Sequence, residues 1–269
     1  MEVEEQELPM SKNTRLVGRR KRSFRASSMS KDEELSRSLS WALRHAAPSL
    51  GLSVRSDGYV AVEDLLSCNH PRFDKFHYTF EDVQRVVEQN DKKRFQLMLQ
   101  GEIVDGVRDR RRWMIRACQG HSLKHIKPDE LLTPISREEL KCMDRIIHGT
   151  TLKAWEAIQR EGCLRRMKRN HIHFATTLPD DSSRNSKIIS GIRRGREIDI
   201  YVDSSKCAES SIQFYRSNNE VILTSGIRDE GILPLSFLAK VVEVKTGQII
   251  YKNDESKRTE LCVGDQLLN

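Results

Sequence analysis

The 269-residue sequence contains no run approaching the roughly 20 apolar residues that a membrane span requires. Its opening, MEVEEQELPM, is acidic and has no apolar centre, so neither a secretory signal nor a transit peptide is expected there. CxxC pairs are missing too. The six cysteines (Cys68, Cys118, Cys142, Cys163, Cys207 and Cys262) are scattered, which suits reduced thiols in an intracellular protein, cytoplasmic or nuclear, and leaves a zinc knuckle without its ligand spacing. Neither GxGxxG nor GxxxxGK[ST] occurs, which sets aside a Rossmann nucleotide site and a P-loop.

Positive charge is in modest excess. Forty-six Lys and Arg against 39 Asp and Glu give a net charge of +7, of which residues 1–31 hold +4, leaving +3 for the rest. Affinity of the body for RNA must therefore come from local clusters. A hydrophobic share of 37% beside 32% charged residues suits a soluble globular protein, long enough for one large domain or two small ones. Residues 1–31 are polar and aperiodic, as a disordered basic tail should be. Their basic run from Arg15 to Arg25 fits a solvated leader, a nuclear localisation signal or a non-specific RNA-binding arm.

Beyond the tail, Leu35, Leu39, Ala42 and Leu43 recur at helical spacing, with Asp32 positioned as a cap. DGYVAVEDLL (57–66) predicts a turn, a short strand and a helix. Phe80, Val83, Val86 and Val87 predict another helix, ending near Asn90. Phe95, Leu97 and Leu99 then alternate with Arg94, Gln96 and Met98, and after a turn at Asp105-Gly106 a second strand carries Trp113 and Ile115 opposite Arg112 and Arg116. Helices followed by a hairpin within about 90 residues form the pattern of a winged helix. Residues 122–138, with Pro128 and Pro134, read as a linker. Beyond them, IIHGT (146–150), IHFAT (172–176), IDIYVD (198–203), EVILTSG (220–226) and KVVEVK (240–245) read as strands, interrupted by one clear helix through Leu152, Trp155 and Ile158 that Gly162 closes. The expected fold class is α+β, with a compact mixed sheet in the second half.

Several groups have chemistry suited to phosphate, and each has an ordinary structural reading beside it. Arg44-His45 joins a planar fork of donors to a proton carrier, yet Arg and His also complement a helix C-terminus. Lys92-Lys93-Arg94 is either a solvated corner or, with Gln96, Arg112 and Arg116, a basic face of the hairpin. Gln119-Gly120-His121-Ser122 pairs a permissive glycine with hydrogen-bonding side chains, and equally suits a plain turn. His148-Gly149-Thr150 ends a strand, and His171 and His173 share one face of another, with Arg169 at its mouth. Three histidines on strands suit a metal, but no acid or thiol stands beside them, and satisfied structural histidines are the ordinary case. Ser190-Gly191-Ile192-Arg193-Arg194-Gly195 is a small basic loop of the kind that cradles phosphate.

In their order, LSRSLSWALRH (35–45), DGYVAVEDLL (57–66), NDKKRF (90–95), IRACQGHS (115–122), HGT (148–150), MKRNHIHFAT (167–176) and SGIRRG (190–195) resemble the tRNA 2′-phosphotransferase family, Tpt1 in yeast and KptA in bacteria. The resemblance, which does not extend to the tail over 1–31, implies a winged-helix RNA-binding lobe over 32–127 and an ADP-ribosyltransferase-like NAD-binding lobe over 128–269. The implied reaction consumes NAD and needs no metal. The RNA 2′-phosphate attacks C1″ of the nicotinamide riboside and expels nicotinamide. The 2″-hydroxyl then attacks the phosphodiester, releasing 2′-OH RNA and ADP-ribose 1″,2″-cyclic phosphate.

Carried onto this sequence, the resemblance makes Arg44, His45, Arg94 and Arg169 the catalytic set. It turns His148, Gly149, Thr150, His173, Ser190, Gly191 and Arg193 towards NAD, with His121 and Ser122 as further cofactor or interlobe contacts. Lys93, Arg112 and Arg116 fall to RNA, and a monomer is expected. Cys118 stands where the family commonly has Asn, and the hairpin connection GEIVDGVRDRRRW (101–113) is longer than usual. Two other classes compete: a winged-helix nucleic-acid-binding protein with an inert second lobe, and an ADP-ribosyltransferase acting on protein or on terminal phosphates.

Overall fold

The computed structural model describes residues 29–104, 107–178, 191–192 and 195–253, without side chains over 102–111 or at 229. Of the expected tail over 1–31, residues 1–28 lie outside the described residues, as do the Asp105-Gly106 turn, Ser190 and Arg193, while Ser30 and Lys31 already belong to the start of the first helix. Helix α1 (Lys31–Trp41) starts at Ser30, whose hydroxyl accepts the amide of Glu33. The cap expected of Asp32 is thereby corrected. Ser30 has the extended backbone a cap needs, whereas Asp32 is already inside the helix, where its carboxylate takes Arg85 at 2.7 Å. Leu35, Leu39, Ala42 and Leu43 are fully buried, and burying each leucine contributes roughly 1.5–3 kcal/mol. The helix widens into a π-helical turn over Ala42–Ala46, with Ala47 N–H donating to Ala42 O.

Next come β1 (Val60–Ala61), α2 (Val62–Leu66), α3 (Pro71–Asp74) and α4 (Phe80–Glu88), the last started by a reciprocal capping box between Thr79 and Asp82. The hairpin of β2 (Phe95–Val104) and β3 (Val107–Ala117) follows. Sheet order is β1-β3-β2, and the register sets Leu97 opposite Ile115. Leu35, Leu39, Leu43, Phe73, Val83, Phe95 and Ile115 meet in one core.

The expected linker is folded. Residues 128–141 contain α5 (Pro128–Leu131), β4 (Thr133–Pro134) and α6 (Arg137–Lys141), and Ile126, Leu131 and Leu132 pack against Val221 and Leu223. The prolines that suggested a linker occupy sites that tolerate them: Pro128 opens a helix, and Pro134 lies on a sheet-edge strand. All five strands read from the sequence are present: β5 (Ile147–Thr150), β7 (Ile172–Phe174), β8 (Ile198–Val202), β10 (Ile222–Thr224) and β12 (Leu238–Glu243). Among them lie α7 (Leu152–Glu161), closed by Gly162 at φ 72°, β6 (Cys163–Arg165), α8 (Ser204–Glu209), β9 (Phe214–Arg216), β11 (Ile232–Pro234) and β13 (Ile249–Lys252). More than one helix therefore interrupts the strands. Six-residue α8, capped by Asp203, is too short to show a periodic stripe.

The second half builds sheets β4-β9-β10-β7, β13-β12-β8-β5 and β11-β6, all antiparallel, and an Ile147–Ala175 bridge joins the first two. A second core forms around Trp155, Phe174, Ile198, Ile200, Phe214 and Ile222. The chain is thus mixed α and β, with several antiparallel sheets.

Asp82 links α1 to α4. Its carboxylate takes Lys31 at 2.7 Å and Arg85 at 2.6 Å while completing the cap of α4. The hydrogen bond from Lys31, then that from Arg85, hold its carboxyl down at about 2. A folded-state value below the unfolded one gives stability that is complete above about pH 4 and is lost as pH falls through the folded value. Asp82→Ala is expected to cost about 1–2 kcal/mol at neutral pH. Urea unfolding of both proteins should show this gap closing at about pH 2; a gap that does not change with pH would refute the assignment.

Candidate active site

Arg44 and His45 project from the π-helical turn at the end of α1, a local geometry frequent at functional sites. The segment after β3 folds back on them. Ser122 N–H donates to Arg44 O at 2.9 Å, and Ser122 Oγ lies 2.9 Å from His45 Nδ1. With Nδ1 engaged, Nε2 is the nitrogen left for chemistry. Gly120 has φ +90°, and a Cβ there would stand 3.4 Å from Arg44 Cδ and Nε. The glycine thus lets the backbone lie along the arginine stem.

Arg94 precedes β2, its carbonyl accepting Cys118 N–H at 2.9 Å. Arg169 sits in the loop before β7. Arg166 donates to the carbonyls of Arg169 and Asn170 at 3.4 Å, while Asn170 donates its backbone amide to His121 O at 2.8 Å and its side-chain amide to Leu123 O at 2.9 Å. Arg44 feels the other two guanidiniums. Burial, then the charges of Arg169 and Arg94, push Arg44 down to about 10. Arg94 is also lowered by burial, and His45 by burial, Arg44 and Arg169, which keeps its imidazole neutral. Cys118 is buried beside them, its thiol raised by burial to about 11.

Histidines line the other side. His121 is buried and lowered to about 3 by desolvation, then by Arg44. His173 is buried and held well below its usual value by desolvation, then by Arg169. The Nε2 atoms of both, Arg44 Nε and Gln119 Oε1 are buried without a hydrogen-bond partner. His148 on β5 reaches His173 O through Nδ1 at 2.9 Å, which orients its ring. His171, also buried, meets the Tyr215 ring edge-on. Thr150 is half-buried, its carbonyl accepting Glu197 N–H at 2.8 Å. Gly191, at φ +89°, leaves no room for a side chain: a Cβ would stand 2.9 Å from Phe174 O. Among the described residues no group of three or more His, Cys, Asp or Glu side chains is placed to hold a metal. No helix among them is long and apolar enough to cross a membrane.

The expected hairpin cations differ in setting. Lys93 is exposed, at φ 43°. Arg112 is partly exposed, 3.7 Å from Asp64. Arg116 turns inward: it lies 4.6 Å over the Tyr59 ring and donates to Gln96 Oε1 and Asp57 O. A groove of about 470 Å³ lined by Asp32, Glu33, Asn90, Asp91 and Lys92 shares Arg94 with the cluster, and its three carboxylates suit a polyanion poorly. Sequence reasoning missed Asn90, Asn170 and Arg196. Arg196 pairs with Asp199 at 2.7 Å, and its stem packs where a Cβ on Gly149 would stand, 3.0 Å away. An Arg three residues before an Asp was the available signal.

Gly120→Ala is expected to cost about 1–2 kcal/mol through its left-handed backbone. Gly191→Ala should cost more, because its obstacle is main chain. Thermal melting of the two variants checks the order, and equal midpoints would contradict it.

A family model described as RNA 2′-phosphotransferase, Tpt1 / KptA family, matches residues 30–226. The tRNA 2′-phosphotransferase 1 of Danio rerio is 39% identical over 236 residues, covering 88% of this chain and 96% of that protein. Its Homo sapiens namesake is 41% identical over 219 residues, with coverage of 81% and 79%. The tRNA 2′-phosphotransferase of Saccharomyces cerevisiae is 35% identical over 214 residues, with coverage of 79% and 84%. The chain belongs to the RNA 2′-phosphotransferase family, Tpt1 / KptA.

Proposed function

We propose that this protein is an NAD-dependent tRNA 2′-phosphotransferase that removes the splice-junction 2′-phosphate of ligated tRNA. One observation carries the chemistry: Arg169 and Arg94 both act on a buried Arg44 beside a neutral His45, and among the described residues no ion pair joins a carboxylate to Arg44 or Arg94, although the charge of Asp91 is felt at Arg94. Such a cluster lacks the negative charge it is built for. A phosphate dianion supplies that charge, and guanidinium forks match its oxygens. On this reading the three arginines hold the 2′-phosphate and stabilise the charge that develops on it during transesterification. His45, oriented through Nδ1 by Ser122, exchanges the proton at Nε2.

The residues present fit NAD. The buried Nε2 atoms of His121 and His173 are unpartnered, and neutral imidazoles of this kind pair with hydroxyl and amide groups. His148, Gly149, Thr150, His173 and Gly191, with His121 and Ser122 at the border, would hold it, joined by Ser190 and Arg193 from outside the described residues. Bound there, NAD supplies an electrophilic ribosyl carbon and nicotinamide as leaving group. We read residues 32–127 as a winged-helix RNA-binding lobe and 128–269 as an ADP-ribosyltransferase-like lobe. The two separate cores support that division. RNA contacts fall to Lys93 and Arg112, while Arg116 braces the hairpin. The protein is proposed to act as a monomer without a metal.

The test is incubation with NAD and an RNA bearing an internal 2′-phosphate. The expected products are 2′-OH RNA, nicotinamide and ADP-ribose 1″,2″-cyclic phosphate. Persistence of the 2′-phosphate would refute the reading. ADP-ribose left on an RNA end or on protein, with the internal phosphate intact, would favour a terminal-phosphate or protein ADP-ribosyltransferase instead. Alanine at Arg44, His45 or Arg169 should lower turnover by about 10²–10³-fold. Arg94→Ala should slow the second step more than the first; equal loss in both would contradict its placement at the transesterification.

A further inference from the structure

Asn90 lies just past the end of α4, four residues before Arg94, and its side-chain oxygen faces back onto that arginine. Oδ1 accepts both the backbone N–H and the Nη1–H of Arg94, each at 3.2 Å. Its Nδ2 reaches Ser36 Oγ on α1 at 3.4 Å. The intervening turn is closed by Lys93 N–H donating to Asn90 O at 2.8 Å, and Lys93 itself is left-handed at φ 43°. One amide therefore fixes Arg94 at both its main chain and its guanidinium, and ties it to the helix that ends in Arg44 and His45.

We propose that Asn90 is a positioning residue that holds the Arg94 guanidinium through a neutral oxygen, so that the full positive charge remains for the RNA 2′-phosphate. The inference rests on the 2′-phosphotransferase reading and deepens it. The usual holder of a guanidinium is a carboxylate, which binds more strongly but cancels the charge. That arrangement occurs elsewhere in this protein, where Asp32 and Asp82 hold Arg85 and Asp199 holds Arg196. Those arginines knit the fold. At Arg94 the same geometry is met by an amide: Asp91 acts on this guanidinium only through space, with no ion pair among the described residues, and burial makes a bound anion correspondingly more favourable.

Asn90→Ala removes the acceptor, whereas Asn90→Asp keeps an oxygen in place and adds a competing charge. Both are compared with the wild-type protein in single-turnover reactions with NAD and 2′-phosphorylated RNA. Beside these, thermal midpoints are measured, and the affinity for 2′-phosphorylated over 2′-OH RNA is read without NAD. Asn90→Ala should slow the second step by about 10–10²-fold, with a smaller effect on the first. Asn90→Asp should melt at or above the wild-type midpoint, yet lose at least as much rate and most of the preference for the phosphorylated RNA.

A merely structural Asn90 would leave Asn90→Asp close to wild type in rate and phosphate preference, and that result would overturn the proposal. So would an Asn90→Ala protein that turns over like wild type, or one that slows only as far as its KM for NAD and its midpoint deteriorate together. Wild-type protein that leaves the 2′-phosphate intact would instead overturn the functional reading.

Discussion

Guanidinium groups gathered at one place repel one another, and that repulsion constrains the architecture around Arg44, Arg94 and Arg169. At the effective dielectric of a protein surface, two unit charges about 4 Å apart repel by about 4 kcal/mol. The fall of Arg44 to about 10 records both this repulsion and the burial that aggravates it. Left to themselves such side chains would swing into water. They stay because each is anchored close to its backbone: Arg44 by the π-helical turn and by Ser122 on its carbonyl, Arg94 by Asn90 and Cys118, and Arg169 by Arg166 and the doubly tethered Asn170. Serine and asparagine recur among these anchors. These anchors are uncharged, and on the proposed reading they leave the cluster able to receive an anion.

The same field sets the state of the histidines. His121 and His173 are desolvated and face arginines, and both effects disfavour the imidazolium. The site therefore has a cationic side and a neutral hydrogen-bonding side, produced by one arrangement of charge and burial. On the proposed reading that asymmetry suits a reaction joining a phosphate dianion to a dinucleotide, in which the arginines would discriminate by charge and the imidazoles by hydrogen bonds.

Much of this was legible in the sequence, unevenly. Apolar periodicity located α1, α4, α7 and the hairpin, because each spans at least two turns or four alternations. The short strands β4, β6, β9 and β11 escaped sequence reasoning, whereas β1, β7 and β10, though no longer, stood out because longer β-type runs surround them. Pro128 and Pro134 suggested a linker because a proline's tolerance depends on helix starts and sheet edges that the sequence does not display. Among the site residues, Arg44, His45, Arg94 and Arg169 were individually ambiguous and became legible through the order of their motifs. Asn90 left a fainter trace: an asparagine just after a helical stripe, four residues before an arginine, is how a side chain closes a turn on the main chain. Asn170 acts through distant backbone, which local pattern does not reveal, whereas Arg196, with Asp199 three residues on, did leave a local signal.

The position of Arg169 bears on whether the halves can work apart. Arg44, His45 and Arg94 rise from the first core, whereas Arg169 follows β6 in the second half. Its loop is nevertheless tied to the first half's QGHS segment, since Asn170 donates to His121 O and Leu123 O. On the opposite flank, Asn218 reaches Gln96 Oε1 and Asn219 reaches Lys92 O, next to Arg94. Amide side chains thus brace the two halves on both flanks of the guanidinium cluster, through bonds without net charge. Elsewhere along the boundary, Lys127 pairs with Glu130 at 3.0 Å and Ser56 donates to the same carboxylate. On the proposed reading, neutral amide braces beside the arginines leave the cluster's charge for an anion, so the demand of that site would extend to the way the halves are joined there.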